Sequence, residues 1–218
     1  MSPSSTVTAK RKIGILGGTF NPIHAGHLII AEAVRHQYEL HKVLFIPSAN
    51  PPHKEGQEII PAVHRYKLVS LAIADNPFFE VSDIEMKREG RSYSVQTLHA
   101  LRDADRQPTD YFFIIGADSV PELRTWKNIQ QLASLCTFVV VPRPGWGIQR
   151  LAHMDLGLPK WLKQNLLANV VSAPPIGISS TEIRDRIQQG RSIRYLVPKA
   201  VEEYIAEHSL YRVTDGPA

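Results

Sequence analysis

The chain has 218 residues, 43% hydrophobic and 21% charged, which is ordinary for a folded globular protein and long enough for one well-cored domain. Its net charge of +4 comes from charges of both signs mixed along the chain, a balance that suits anionic small ligands and is too mild to point to nucleic acid. The single cysteine, Cys136 in an apolar run, excludes a disulfide framework, and apolar runs of strand length exclude a membrane-spanning helix.

Residues 1–11 are Ser/Thr-rich with their basic residues last, which does not fit a secretory leader; we expect a disordered tail on a cytoplasmic protein. One domain is expected over 12–212, then a short tail over 213–218. The first strand, Ile13–Leu16, runs into Gly17-Gly18-Thr19-Phe20-Asn21-Pro22-Ile23-His24-Ala25-Gly26-His27, and helical spacing follows over Gly26–His36. A strand, a glycine turn and a helix start aim backbone N–H groups and the positive end of a helix dipole at one spot, where phosphate is the natural occupant. His24 and His27, three apart, would share a face beside that anion.

Further strands are expected over Lys42–Ile46, Phe78–Val81, Tyr111–Ile115, Thr137–Val141 and Asn169–Ser172, and helices over Ala62–Asp75, Val95–Asp103, Val120–Leu123, Ile129–Ala133, Ser180–Gln188 and Pro198–Glu207. Residues 143–159 read as a loop whose helix content stays open. Val43–Ile46 and Phe112–Ile115 are continuously hydrophobic, as strands buried on both faces are. Strand–helix alternation with such strands gives an α/β class, a doubly wound parallel sheet.

In open α/β sheets ligands bind outside the carboxyl ends of the strands. After strand two the chain offers Lys54 in a proline-stiffened loop; after strand four Gly116 and Asp118, then Trp126; after strand five Arg143; and after strand six Ser179, Ser180, Thr181 and Arg184 at a helix start. Each has a plainer alternative. Lys54 could be a solvated loop lysine, Asp118 and Ser179 helix caps, and Trp126 a packing residue. Arg65-Tyr66-Lys67 and Met86-Lys87-Arg88 read as solvated faces, while His99, His153 and His208 lack metal-ligand spacing. Convergence at one sheet edge is what the plainer alternatives do not predict.

The stretch from Gly17 to His27, together with Ile178-Ser179-Ser180-Thr181-Glu182-Ile183-Arg184, resembles the nucleotidyltransferase superfamily with the His-x-Gly-His signature. Asn50-Pro51-Pro52-His53-Lys54, Ser92–Leu98, Ile115–Ser119, Thr125-Trp126 and Arg143-Pro144-Gly145 extend the resemblance, in order, to the bacterial nicotinate-nucleotide adenylyltransferases. Asn21 stands where that family often has Asp, and Ser94 where Thr is common. The resemblance implies a Rossmann-like fold and the joining of nicotinate mononucleotide to ATP, giving nicotinate adenine dinucleotide and pyrophosphate in NAD biosynthesis, with Mg²⁺ carried by ATP. It implies Gly17, Gly18, Thr19 and Phe20 along the mononucleotide, with Thr97 and Trp126 at its ring. Gly116, Asp118, Arg143, Ser179 and Thr181 would lie on ATP, and His24, His27, Lys54 and Arg184 at the phosphates, supplying alignment and positive charge. A phosphate monoester is already a nucleophile, so such a site needs no activated serine or cysteine. Nicotinamide mononucleotide or phosphopantetheine as acceptor, and a non-catalytic nucleotide- or RNA-binding module, are the alternatives. Assembly into a homo-oligomer stays open.

Overall fold

The structure, a computed structural model, describes residues 10–51, 59–173 and 176–212. Within them five strands form one parallel sheet in the order β3-β2-β1-β4-β5: β1 Arg11–Gly18, β2 Lys42–Pro47, β3 Phe79–Val81, β4 Thr109–Gly116 and β5 Thr137–Val141. The helices are α1 Ala25–Gln37, α2 Ala62–Ala72, α3 Ser94–Ala104, α4 Ile129–Leu135, α5 Ile148–His153, α6 Lys160–Ala168, α7 Ser180–Gln188 and α8 Lys199–Glu207, with a 3₁₀ stretch over Ala117–Thr125. The expected sides of the tail boundaries, the loop residue Lys54 and the tails themselves fall partly or wholly outside the described residues, although Arg11, placed in the tail, already pairs with Thr109 as the first residue of β1.

Strand side chains alternate between two cores. Ile13 and Ile15 of β1 face a core with Val95, Leu98, Leu132, Leu162 and Leu166, so α3, α4 and α6 cover that side. Leu16, from the same strand, faces Ile30, Val34, Leu68, Val69, Ile183 and Val201 of α1, α2, α7 and α8. Gly14 has no room for a side chain here: a Cβ would sit 2.8 Å from Leu40 Cδ1. The sheet is thus covered on both faces, which is why its strands read as unbroken apolar runs.

The expected sixth strand is a correction. Residues Asn169–Ser172 touch β5 at one bridge, Val140 to Val170, with Val140 N–H donating to Asn169 O and Val171 N–H to Val140 O. Gln37 takes the next backbone groups, its Oε1 accepting from Ser172 N–H at 2.8 Å and its Nε2 donating to Val170 O at 3.4 Å. The pairing that would extend the ladder goes to a side chain of α1 instead. The loop expected over 143–159, with its helix content open, holds α5.

β2 lies on one side of β1 and β4 on the other, so the winding direction reverses between β1 and β4. A crevice opens at such a point beyond the strands' carboxyl ends. Gly18 ends β1 and Gly116 ends β4, and both border it.

Candidate active site

A cavity of about 320 Å³ fills that crevice. Gly17, Gly18, Thr19 and His27 line one wall, Gly116, Asp118 and Arg143 another, and Thr97, Tyr93, Trp126 and Glu85 the third. Nine expected residues therefore share one space: Gly17, Gly18, Thr19, His27, Thr97, Gly116, Asp118, Trp126 and Arg143. Phe20, His24, Ser179, Thr181 and Arg184 lie outside its lining, and Lys54 lies outside the described residues.

The histidines are built into the helix start. His24 is the N-cap of α1 and 2% exposed; its ring stacks on His27 with centroids 3.7 Å apart. His24 N–H donates to His27 Nδ1 at 3.2 Å, so in the neutral ring the proton sits on Nε2, which leaves a donor for the cavity that His27 lines. Phe20, with its ring buried, meets the His27 ring edge-on at 5.1 Å and supports it from behind. Gly26 makes the close approach possible, since a Cβ there would lie 3.0 Å from His24 Nδ1 and 3.2 Å from Ile176 Cγ2. That Nδ1 is buried without a hydrogen-bond partner.

Burial, then the nearby Arg143 guanidinium, lowers the His24 pKa from 6.5 to about 4. Burial, then His24, then Arg143 holds His27 well below its usual value. Both rings are neutral at pH 7 in the free protein. The expected positive charge is therefore not theirs, and they act as neutral hydrogen-bonding groups. A stability consequence follows from the sign of this shift. The unfolded chain binds a proton at His24 that the folded chain refuses, so the neutral ring's contribution is complete above pH 6.5 and is lost as pH falls towards about 4. Urea unfolding between pH 7 and 4 should show this loss, up to about 3 kcal/mol. His24→Asn should flatten the slope in that window; an unchanged slope would contradict the assignment.

The distant helix start does reach this turn. Arg184 NH1 donates to Asn21 O at 2.8 Å, and Ser180 Oγ donates to Pro22 O at 2.8 Å. Ser179 is a true N-cap, its Oγ accepting from Glu182 N–H at 3.1 Å, so the plainer alternative holds for this residue alongside any ligand role. Thr181 accepts weakly from Arg184 NH2 at 3.4 Å. Two segments 158 to 163 residues apart in sequence thus form one edge.

On the β4 side, a Cβ at Gly116 would collide with Asp118 Oδ1 and approach Arg143 Nε at 3.4 Å. Arg143 Nε is buried without a partner and stands 3.9 Å from Asp118 Oδ1. Its NH1 donates only weakly to Ile176 O, at 3.5 Å, and a guanidinium so loosely held next to a cavity keeps its other donors for an anion. At the third wall Trp126 stands edge-on to Phe113 at 5.9 Å, offering its face as a stacking surface. Lys127 Nζ rests 4.4 Å above the Tyr93 ring.

Thr97 is 2% exposed, and its hydroxyl donates to Glu85 Oε1 at 2.7 Å while accepting from Arg88 at 3.2 Å. Towards a ligand it therefore offers lone pairs more readily than a proton. Arg88 and Arg65 are not solvated faces. Arg88 is half-buried against Thr97, and Arg65 is 1% exposed. Glu85, Tyr93 and Lys127 are lining residues that the sequence did not single out. Glu85 sits in the mixed-charge run Asp83-Ile84-Glu85-Met86-Lys87-Arg88-Glu89, which looks like surface. Among the described residues there is no cluster of three or more His, Cys, Asp or Glu that could hold a metal, and no helix long and apolar enough to cross a membrane.

A glycine turn, a helix N-terminus and unsatisfied arginine donors around the switch point of a parallel sheet make this a nucleotide-handling α/β domain. Residues 15–186 match the cytidylyltransferase-like family model. Relatives from Thermoanaerobacter sp. (strain X514) and Desulfitobacterium hafniense (strain Y51), each named "Probable nicotinate-nucleotide adenylyltransferase", are both 44% identical to the chain. The first match covers 92% of this chain and 94% of the relative, the second 93% and 97%. The chain belongs to the nicotinate-nucleotide adenylyltransferase family of cytidylyltransferase-like proteins. The fold is shared with the Plasmodium falciparum nicotinic acid mononucleotide adenylyltransferase complexed with NaAD, at a TM-score of 0.72 and 16% identity over 92% of this chain and 97% of that one.

Proposed function

We propose that the chain joins nicotinate mononucleotide to ATP, releasing pyrophosphate. The observation that carries this is the wall pairing inside one cavity: the Gly17–Thr19 turn with the His27 Nε2–H donor on one side, and Arg143 with an unpartnered Nε on the other. A phosphate oxygen of the mononucleotide attacks the α-phosphorus of ATP; the new P–O bond forms as the bond to the β-phosphate oxygen breaks, and pyrophosphate leaves with the electron pair. No side chain need be a nucleophile. The protein's part is to hold the two phosphates in line and to meet charge that develops on the leaving group.

His27 donates from Nε2 to a phosphoryl oxygen, and the helix α1 N-terminus supports it. Arg143 and Arg184 supply fixed positive charge, with Lys54 as a further cation. Asp118 and Gly116 accommodate the adenosine ribose, Gly116 because any side chain would push Asp118 aside. Ser179 and Thr181 face the triphosphate from the α7 start, and Trp126 stacks on the pyridine ring. A divalent ion, Mg²⁺ in this reading, arrives with the triphosphate as part of the substrate and offsets its charge.

A second reading concerns the acceptor ring. Glu85 is 7% exposed, lines the cavity beside Thr97, and has its Oε2 buried without a partner. A carboxamide N–H would find an acceptor there, whereas Lys127 on the same wall favours a carboxylate. We expect the carboxylate to win, in keeping with the named relatives. Pyrophosphate release with ATP, measured side by side for nicotinate mononucleotide, nicotinamide mononucleotide and 4′-phosphopantetheine, tests it. Expected is at least tenfold higher kcat/KM for the first; equal or better use of the amide would overturn the carboxylate preference, and no turnover of any would overturn the function.

A further inference from the structure

Arg65 is the largest fully buried side chain of the described residues; its guanidinium hydrogen-bonds to three carbonyls, with Glu85 near enough to attract it. Nε donates to Ile60 O at 3.0 Å, NH1 to Thr19 O at 2.8 Å and NH2 to Ala49 O at 3.3 Å. These carbonyls belong to three separate places: the glycine turn after β1, the stretch just after β2, and the residue before the α2 N-cap. A buried cation bonded to neutral carbonyls is costly, and an apolar residue of similar size would fill the same space more cheaply. Arg65 sits in the first turn of α2, where its positive charge also gains nothing from the helix dipole.

The bond to Thr19 has a directional consequence. The peptide is planar and trans, so its C=O and N–H point opposite ways. With Thr19 O drawn inward to Arg65, the following N–H, that of Phe20, points away from Arg65, next to Thr19, which lines the cavity. No described acceptor takes that N–H. Phe20 also adopts φ 48°, a left-handed backbone that a bulky residue reaches only when its surroundings impose it. Its ring is pinned between His27 and Phe45, at 5.1 and 6.1 Å between centroids, and its preceding peptide is pinned by Arg65.

We infer that Arg65 is a positioning residue for catalysis: by holding the Thr19 carbonyl it fixes the Thr19–Phe20 peptide so that the Phe20 N–H is a donor to a substrate phosphate. This rests on the phosphate-binding role proposed for the turn. Lysine at this position keeps the charge but has no planar fork to span three carbonyls. Arg65→Lys therefore removes positioning while keeping the charge.

The test uses the full chain as wild type, Arg65→Lys and Arg65→Gln, with thermal melts to show which variants are folded at the assay temperature. Backbone ¹⁵N–¹H spectra follow the Phe20 amide during titration with nicotinate mononucleotide and, separately, inorganic pyrophosphate. In wild type the Phe20 amide should shift with at least one of these. In folded Arg65→Lys that response should be lost and kcat should fall roughly 10- to 100-fold, with KM for ATP within about threefold. A folded variant with kcat within fivefold of wild type, or one retaining the Phe20 response, overturns the inference. So does a wild-type Phe20 amide that responds to neither ligand, a result that needs no variant to fold. Wild-type pyrophosphate release tests the proposed reaction by itself, so failure of Arg65 as a positioning residue and failure of that reaction are told apart.

Discussion

His27→Ala should lower kcat by about 10²- to 10³-fold while leaving the dissociation constant for nicotinate mononucleotide within a few-fold of wild type. The size follows from what the ring does. His24 N–H occupies His27 Nδ1, the neutral ring keeps its proton on Nε2, and that N–H is left for the cavity, where the proposed function puts the phosphates, from a desolvated place. A donor of this kind gains strength as charge builds on the leaving pyrophosphate, so its loss appears in kcat and not in mononucleotide binding. The ring also packs on Phe20 and His24, so alanine leaves a gap at the helix start. His27→Asn separates the two effects: its side-chain oxygen can still accept from His24 N–H, but nothing replaces the Nε2 donor. Both variants should be slow, with the asparagine variant closer to wild type in melting temperature. If folded His27→Asn kept kcat within tenfold of wild type, the donor role would be wrong and the ring would be a structural cap.

How much of this site could be read from the chain alone depended on whether chemistry or packing set each residue. The glycine turn, the paired histidines and the Ser179–Arg184 start are local patterns whose geometry follows from spacing, and in the fold Ser180 and Arg184 hydrogen-bond to the turn. Strands β1, β2, β4 and β5 announced themselves because burial on both faces demands apolar runs. The sixth strand failed for a reason no local window holds, since Gln37, 135 residues from Ser172, supplies the competing hydrogen bonds. Helix α5 was left open and helix α6 was missed, although Pro159 at the α6 N-cap with Leu162 and Leu166 four apart was a usable signal. Arg65 and Arg88 sit in charged runs that look like surface, and only the fold shows the carbonyls and the threonine they serve. The charge state of the histidines was likewise illegible. Their pKa is set by burial in the folded core and by the neighbourhood of Arg143, far off in sequence.

Arg184→Ala should reduce kcat/KM for ATP roughly 10- to 100-fold, the range of a lost charge-assisted hydrogen bond, with KM for the mononucleotide little changed. Arg184 is half-buried and bonded through NH1 to Asn21 O, which leaves the rest of its fork near the α7 start. Arg184→Lys should recover part of the loss, since the charge remains while the bond to Asn21 O and the approach to Thr181 cannot both be kept. The stronger test is the pair. If Arg184 and His27 act on one triphosphate from two sides, removing the second after the first should cost much less than removing it alone, because the aligned transition state is already lost. The double variant His27→Ala/Arg184→Ala should then be only slightly slower than His27→Ala. Full multiplication of the two losses would mean that the residues serve independent steps. The Asn21-Pro22 edge that joins the two segments would then be a packing contact and not the seam of a shared phosphate site.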